Sequence, residues 1–226
     1  ATSSDHGHPT AETANLSEAA AEELFSRIRR GSDDERERRL FRAQMLTEMA
    51  RMSLDDGLVM QIHPGSWRNH SAAAFHRFGR DKGFDIPTRT DYVTALKPLL
   101  DSVGLERGLT VIVFTLDESS YARELAPLAG VYPSLKLGPP WWFHDSPEGM
   151  RRFREMATET AGFYNTVGFN DDTRAFPSIP ARHDVARRID CAFLARLVTE
   201  HRLDEDEAHE VARDLSYNLV KKAYKL

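Results

Sequence analysis

The sequence predicts an α/β fold with a parallel sheet, of the (β/α)8-barrel type, in which this chain supplies about half. Three observations predict it. Short, almost wholly apolar runs at 57–63, 109–116, 134–137 and 162–167 alternate with helical stretches, and such runs suit parallel strands covered on both faces. Each run ends in polar or charged residues, as strands do when they deliver side chains to a site at their C-terminal mouth. The 226 residues hold four such units, and four βα units with right-handed crossovers make half of a barrel that normally needs about 250 residues or more. An open flavodoxin-like sheet competes with this reading, although neither G-x-G-x-x-G nor P-loop glycines occur. Residues 1–226 read as a single domain.

Taken in order, Ala1 to Pro9 is small and polar, and Asp5-His6-Gly7-His8 resembles the end of a strand spilling into a loop. Alternate strand residues share a face, so His6 and His8 invite a metal reading. A flexible loop is the simpler account. Asn15-Leu16-Ser17-Glu18 opens a helix, with Asn15 able to cap and Glu18 at the capping-box position, and Gly31 ends it. A second helix is predicted from about Asp33 to Ser53, with Leu40, Phe41, Met45, Leu46, Met49 and Met52 forming its core stripe.

The run Gly57–His63 is a short apolar strand ending in histidine, followed by Pro64-Gly65-Ser66-Trp67-Arg68-Asn69-His70, a loop dense in anion- and substrate-binding groups. Residues 71–88 read as a long irregular loop. Thr90 is placed to cap a helix through about Ser102, and Leu109–Leu116 is the clearest strand, β-branched and aromatic. A helix over 118–128 and a strand at Ser134–Leu137 come next. Two adjacent tryptophans after Gly138-Pro139-Pro140 cannot both face one core, so at least one lines a pocket mouth. Ser146-Pro147-Glu148 combines cap, first-turn proline and an acid on the dipole, starting a helix to about Thr160.

The apolar run Gly162–Val167 then closes on Gly168-Phe169-Asn170-Asp171-Asp172-Thr173-Arg174. This reads as a buried strand delivering charge to its mouth, against the alternative of a solvated turn. Two amphipathic helices end the chain, one over about 180–201 carrying Val185, Ile189, Phe193 and Leu197, the other from near Asp204 to Tyr224. Cys191 falls in the first of them and reads as a packed core thiol.

Composition narrows the function classes. A formal charge of -5 disfavours a nucleic-acid surface. One cysteine excludes a disulfide framework and fits a reducing, cytoplasmic setting. No run approaches the roughly 20 apolar residues of a membrane span. The chain opens on Ala-Thr-Ser-Ser without methionine, so a start inside a larger protein is expected alongside ordinary processing.

Three segments together resemble uronate (glucuronate) isomerase, a family of the amidohydrolase superfamily of (β/α)8 barrels. They are His63-Pro64-Gly65-Ser66-Trp67-Arg68-Asn69, then Gly138-Pro139-Pro140-Trp141-Trp142-Phe143-His144-Asp145, then Asp172-Thr173-Arg174-Ala175-Phe176. The combination in this order is specific, and Asp5-His6-Gly7 is similar to the end of the family's fourth strand. Only the C-terminal half of the family is matched. Its first-strand His-x-His of metal ligands, a neighbouring His-Tyr and a carboxylate-binding Arg have no counterpart here.

The resemblance implies aldose–ketose isomerisation of hexuronates, D-glucuronate to D-fructuronate and D-galacturonate to D-tagaturonate, by proton transfer between adjacent carbons. It implies Asp172, Arg174 and His63 as catalytic residues and Arg68, Trp141, Trp142 and Asp5 as substrate-binding residues. Asp172 is also the implied ligand of a divalent metal, zinc being the expectation, with the other ligands in an N-terminal half. That half, or further copies of the chain, is the implied protein partner. Two alternatives stand beside it: a metal-dependent amidohydrolase-type hydrolase with Asp172 as general base, and a non-catalytic half-barrel that needs neither Asp172 nor Arg174.

Overall fold

In the computed structural model, which describes residues 1–173 and 175–226, four strands form one parallel sheet. In spatial order they are β1 (Ser3–His6), β2 (Val59–Ile62), β5 (Val111–Val113) and β6 (Leu135–Leu137). The register runs Asp5–Gln61–Ile112–Lys136 across the sheet. Strand alternation therefore divides the side chains cleanly. Met60, Ile62, Val111, Val113, Leu135 and Leu137 point into the main core, while Val59, Ile112 and Phe114 belong to a smaller cluster on the opposite face.

The helices cover the main-core face. They are α2 (Glu35–Asp56), α4 (Val93–Val103), α5 (Ala126–Val131) and α6 (Pro147–Ala161), with α1 (Glu18–Arg29) packed on α2. Leu46 and Ala50 of α2, Leu96, Leu99 and Leu100 of α4, and Phe153 and Ala157 of α6 meet the sheet there. Burying each such leucine contributes about 1.5–3 kcal/mol. Local chemistry sets the helix ends. Ser17, not Asn15, caps α1, accepting from the Ala20 N–H, because Asn15 is taken by Arg51. Thr90 caps nothing; Asp91 accepts from the Thr94 N–H instead. Ser146 does cap α6, at 3.2 Å from the Gly149 N–H. Met52 and Leu40 of the predicted core stripe stay exposed.

Between β2 and α4 the chain makes an excursion. Ser66–Trp67 (β3) and Ile86–Pro87 (β4) pair antiparallel around α3 (Ala72–Phe78). The predicted irregular loop at 71–88 thus holds a short helix, which Ser71 caps and an alanine triplet favours.

The predicted strand at 162–167 shrinks to one rung, a parallel bridge between Leu137 and Thr166. Side chains compete with the ladder there. The Asn165 amide donates to the Ala161 carbonyl at 3.0 Å, and the Thr166 hydroxyl to Phe163 at 2.7 Å. These bonds wrap 162–165 into a turn at the end of α6.

The C-terminal helices are α7 (Ile179–Thr199), α8 (Glu205–Arg213) and α9 (Leu219–Tyr224). A π-helical turn at Asp214–Asn218 joins α8 to α9, and another, Tyr121–Leu125, precedes α5. Phe193, Leu194 and Leu197 of α7 are buried. Cys191 is exposed rather than a core thiol, because it lies off that stripe. The buried Arg154 and Asp190 join α6 to α7 through two bonds of 2.6 and 3.0 Å. At the other end of the chain, Ala223 and Tyr224 pack on the opposite face of the sheet.

Candidate active site

The C-terminal ends of the strands converge on one cavity of about 200 Å³, lined by Asp5, Gln61, His63, Phe114, Trp141 and Asn170 to Asp172. Larger hollows exist, such as one of about 540 Å³ between the 9–13 segment, α2 and α4. They hold none of Asp5, His63, Trp141 and Asp172. Chemistry, not size, selects the smaller cavity.

Asp5 lies on β1 and His63 directly follows β2, and parallel pairing brings them side by side. The His63 Nε2 sits 2.9 Å from the Asp5 carboxylate. Only a glycine fits next to that ring, since a Cβ on Gly7 would stand 2.7 Å from His63 Cε1. The His63 Nδ1 is buried without a partner among the described residues. Gln61 supports Asp5 with a 3.5 Å bond, and the Tyr224 hydroxyl donates to the Gln61 side-chain oxygen Oε1. Burial pushes the Tyr224 hydroxyl well above the ordinary tyrosine range.

Gly138-Pro139-Pro140 carries the chain from β6 to Trp141, whose ring meets His63 edge-on at 5.0 Å. Its indole N–H donates to the Asp172 carboxylate at 3.0 Å. Trp141 is therefore the tryptophan that faces the cavity. Trp142, at φ 51°, turns outward, tilted against Trp141 and Phe143. The Arg68 guanidinium lies 5.0 Å from the Trp142 ring centre and bonds Asp85 at 3.0 Å. Arg68 and Trp142 thus form a pair outside the cavity lining.

The last wall depends on Gly168. Its φ of +76° is the left-handed region, and a Cβ there would come within 2.3 Å of the Leu215 carbonyl. Phe169 then anchors the loop in a buried cluster with Met150 and Ala186. The Asp171 side chain is only 3% exposed and accepts from Arg182 Nε at 2.9 Å. Arg182, on α7, also grips the Asp145 carboxylate. Burial pushes the Asp171 carboxyl above its ordinary range, with Asp172 adding to the rise and His183 opposing it. Asp171 Oδ2 and Asn170 Oδ1 are buried without hydrogen-bond partners among the described residues. Asp172 is exposed and meets Trp141.

Of the residues singled out in the sequence, Asp5, His63, Trp141 and Asp172 share the cavity, while Arg68 and Trp142 do not line it. Arg174 lies outside the described residues. Sequence reasoning missed Gln61, although a polar residue inside an apolar strand was a visible signal. It also missed the Asp145–Arg182–Asp171 tie, which no local pattern announces. The His6–His8 pair does not form a metal site with any third ligand among the described residues. Burial pushes both rings below the ordinary histidine value.

A glucuronate isomerase family model matches residues 1–224. A uronate isomerase from Mesorhizobium japonicum is 88% identical over all 226 residues, and one from Rhizobium meliloti is 81% identical. The match takes in 48% of each of those proteins, so the chain spans about half the length of the curated relatives it matches. A glucuronate isomerase structure from Caulobacter crescentus superposes with a TM-score of 0.97 at 71% identity, over 100% of this chain and 47% of that one. A uronate isomerase structure from Thermotoga maritima gives 0.91 at 24% identity, over 99% and 49%, a likeness of fold.

Proposed function

Because this chain belongs to the glucuronate isomerase family, we propose that it forms the C-terminal part of an enzyme interconverting aldose and ketose hexuronates. D-Glucuronate with D-fructuronate, and D-galacturonate with D-tagaturonate, are the proposed pairs. One observation carries the reading: Asp5 on β1, His63 after β2, Trp141 after β6 and Asp172 in the loop beyond the Thr166 bridge line one cavity at the mouth of the sheet.

The reaction moves a proton between two adjacent carbons of the open-chain sugar acid, and a hydroxyl proton moves with it. It needs proton-transfer groups, a stabiliser for the enediolate and a clamp for the carboxylate. Asp172 is our hydroxyl-proton carrier. The Trp141 N–H fixes one of its oxygens and leaves the other to reach substrate. His63, steadied by Asp5, is our second catalytic group at the rim. Arg174 is our donor to substrate oxygens, a task suited to its fixed fork of N–H groups. Arg68 and Trp142 shape the approach to the cavity rather than its wall.

The donors present fit one corner of a metal site. Asp172 is a carboxylate on the cavity wall, and no group of three His, Cys, Asp or Glu converges among the described residues. Asp172 would hold a divalent ion, zinc in our reading, together with ligands from the rest of the enzyme. Such an ion supplies polarisation of the substrate's oxygens. We further propose that residues 1–226 form one domain, completed by an N-terminal half or by further copies. β1 supports this, having no strand on its outer edge among the described residues. Among those residues no helix is long and apolar enough to cross a membrane, and we place the enzyme in the cytoplasm.

The test is hexuronate isomerisation by the full-length protein and its Asp172→Asn variant, with ketose formation as the readout. Loss of at least about a hundredfold in kcat is the expected result for a proton-transfer group. Unchanged turnover in the variant would refute the role of Asp172.

A further inference from the structure

A line of hydrogen bonds joins α9 to the cavity. Its members are Tyr224 of α9, Gln61 of β2, Asp5 of β1 and His63. Gln61 is the one polar residue of the strand Val59–Ile62, whose other members are fully buried. An amide set among apolar neighbours costs free energy unless its ends are paired. Here both are used: Oε1 accepts from Tyr224 and Nε2 donates to Asp5.

The polarity of the line has one solution. A carboxylate only accepts, so both groups that reach Asp5 must donate to it. Gln61 Nε2 does so to Oδ1 at 3.5 Å and His63 Nε2 to Oδ2 at 2.9 Å. Turning the Gln61 amide over would set its oxygen against that carboxylate. With Nε2 committed to Asp5, Oε1 faces Tyr224, whose hydroxyl must then donate. Burial first, and then the charge of Asp5, push the Tyr224 hydroxyl above the ordinary tyrosine range, so it keeps the proton this bond requires.

The two ends of the line differ in how they are held. The Tyr224 ring packs against the cluster of Val59, Ile112, Phe114 and Val167. Next to it, Lys225 Nζ donates to the Gly57 carbonyl at 2.6 Å, tying the end of α9 to the chain just ahead of β2. Asp5 is a register partner of Gln61 in the neighbouring strand, but its side chain is 60% exposed. Hydrogen bonds more than packing therefore orient its carboxylate.

We propose that Tyr224, which does not line the cavity, is a positioning residue for the Asp5–His63 pair, acting through Gln61. The phenol fixes the amide, and the amide fixes the carboxylate against which His63 is set. The role rests on the isomerase reading and deepens it, because it ties turnover at the strand mouth to a residue of α9.

The experiment is a double-variant cycle in the full-length enzyme, with D-glucuronate as substrate. Tyr224→Phe keeps the ring and removes the donor, while Gln61→Met keeps the side-chain length and removes both bonds. Tyr224→Phe alone should lower kcat about fivefold, with KM within about twofold of wild type. In the Gln61→Met background the same substitution should cost under about 1.5-fold, since the two residues act in series. A Tyr224 that merely packs would cost the same factor in both backgrounds, and that result overturns the proposal. Unchanged kcat in Tyr224→Phe overturns it too. NMR of the imidazole nitrogens gives a readout without turnover: the His63 Nε2 signal should move in Tyr224→Phe. This measurement does not need Gln61→Met, so a folding defect in that variant does not shelter the proposal. An unmoved signal overturns the positioning role while leaving the isomerase reading in place. Absence of isomerisation by wild type overturns that reading, and the role in turnover with it.

Discussion

Replacing Asp190 by alanine should destabilise this protein severely, because it strands a guanidinium in the interior. Arg154 is 3% exposed and Asp190 11% exposed at the side chain, and two bonds of 2.6 and 3.0 Å join them. Among the described residues, the remaining Arg154 nitrogen reaches only the Thr166 hydroxyl, at 3.5 Å. Removing one partner of a buried pair leaves an uncompensated charge and costs about 3–5 kcal/mol. At about 2–4 °C per kcal/mol for a domain of this size, the melting midpoint should fall by roughly 6–20 °C. Thermal unfolding monitored by tryptophan fluorescence measures it. The double variant Arg154→Met with Asp190→Leu should recover most of the loss, since similar apolar volume can replace a buried pair at little cost. A fall under about 1 kcal/mol for Asp190→Ala, or a double variant as unstable as the single, would refute the reasoning.

Three further perturbations have definite outcomes. Trp141→Phe keeps the ring against His63 and removes the N–H donated to Asp172, so kcat/KM in the full-length enzyme should fall about tenfold with the melting midpoint nearly unchanged. Gly168→Ala imposes a Cβ within 2.3 Å of a carbonyl at φ +76° and should lower stability by at least about 1–3 kcal/mol in the same thermal assay. His144 is buried, 3.0 Å from the Tyr121 hydroxyl, and burial holds its pKa below 6.5, Arg152 adding to the effect and Glu118 and Asp117 opposing it. The unfolded chain therefore binds more protons than the folded one as pH falls through 6.5 toward the lowered folded value, and stability drops over that window. His6 and His8 act in the same direction, so a His144→Gln variant should show a shallower slope, and equal slopes would rule out His144 as a contributor.

The alternation of strand and helix was legible because parallel strands are apolar on both sides and leave unbroken runs. Three of the four sheet strands sit inside runs read from the sequence, and the fourth ends at the Asp5-His6 segment. The rung at Thr166 was not legible. Gly162–Val167 is as apolar as its neighbours, and the bonds that fold it into a turn involve the side chains of Asn165 and Thr166. Cys191 misled for a related reason, since a helical stripe tolerates either face at its margin. In the site, His63, Trp141 and Asp172 stand at or just beyond the end of an apolar run, whereas Asp5, in a small polar segment, and the choice of Asp172 over Asp171 came from the resemblance. Asp171 and Asp172 look alike in sequence. Only Arg182, 11 residues onward on another element, separates the held carboxylate from the accessible one.

The π-helical turn at Asp214–Asn218 sets a rotational phase. A wide turn of this kind carries one residue more than the α-helix around it, and one residue is about 100° of rotation. Upstream of the turn, Val211 packs beside Leu194 of α7; downstream, Ala223 and Tyr224 face the sheet, and Tyr224 meets Gln61. Deleting a single residue within 214–218 would keep the rod helical and swing Tyr224 about a quarter-turn away from Gln61. Asp5 and His63 would then lose the support beneath them without any change in their own loops. Chain length at this one turn is thus a control on the floor of a site whose walls all lie upstream of it, on other elements.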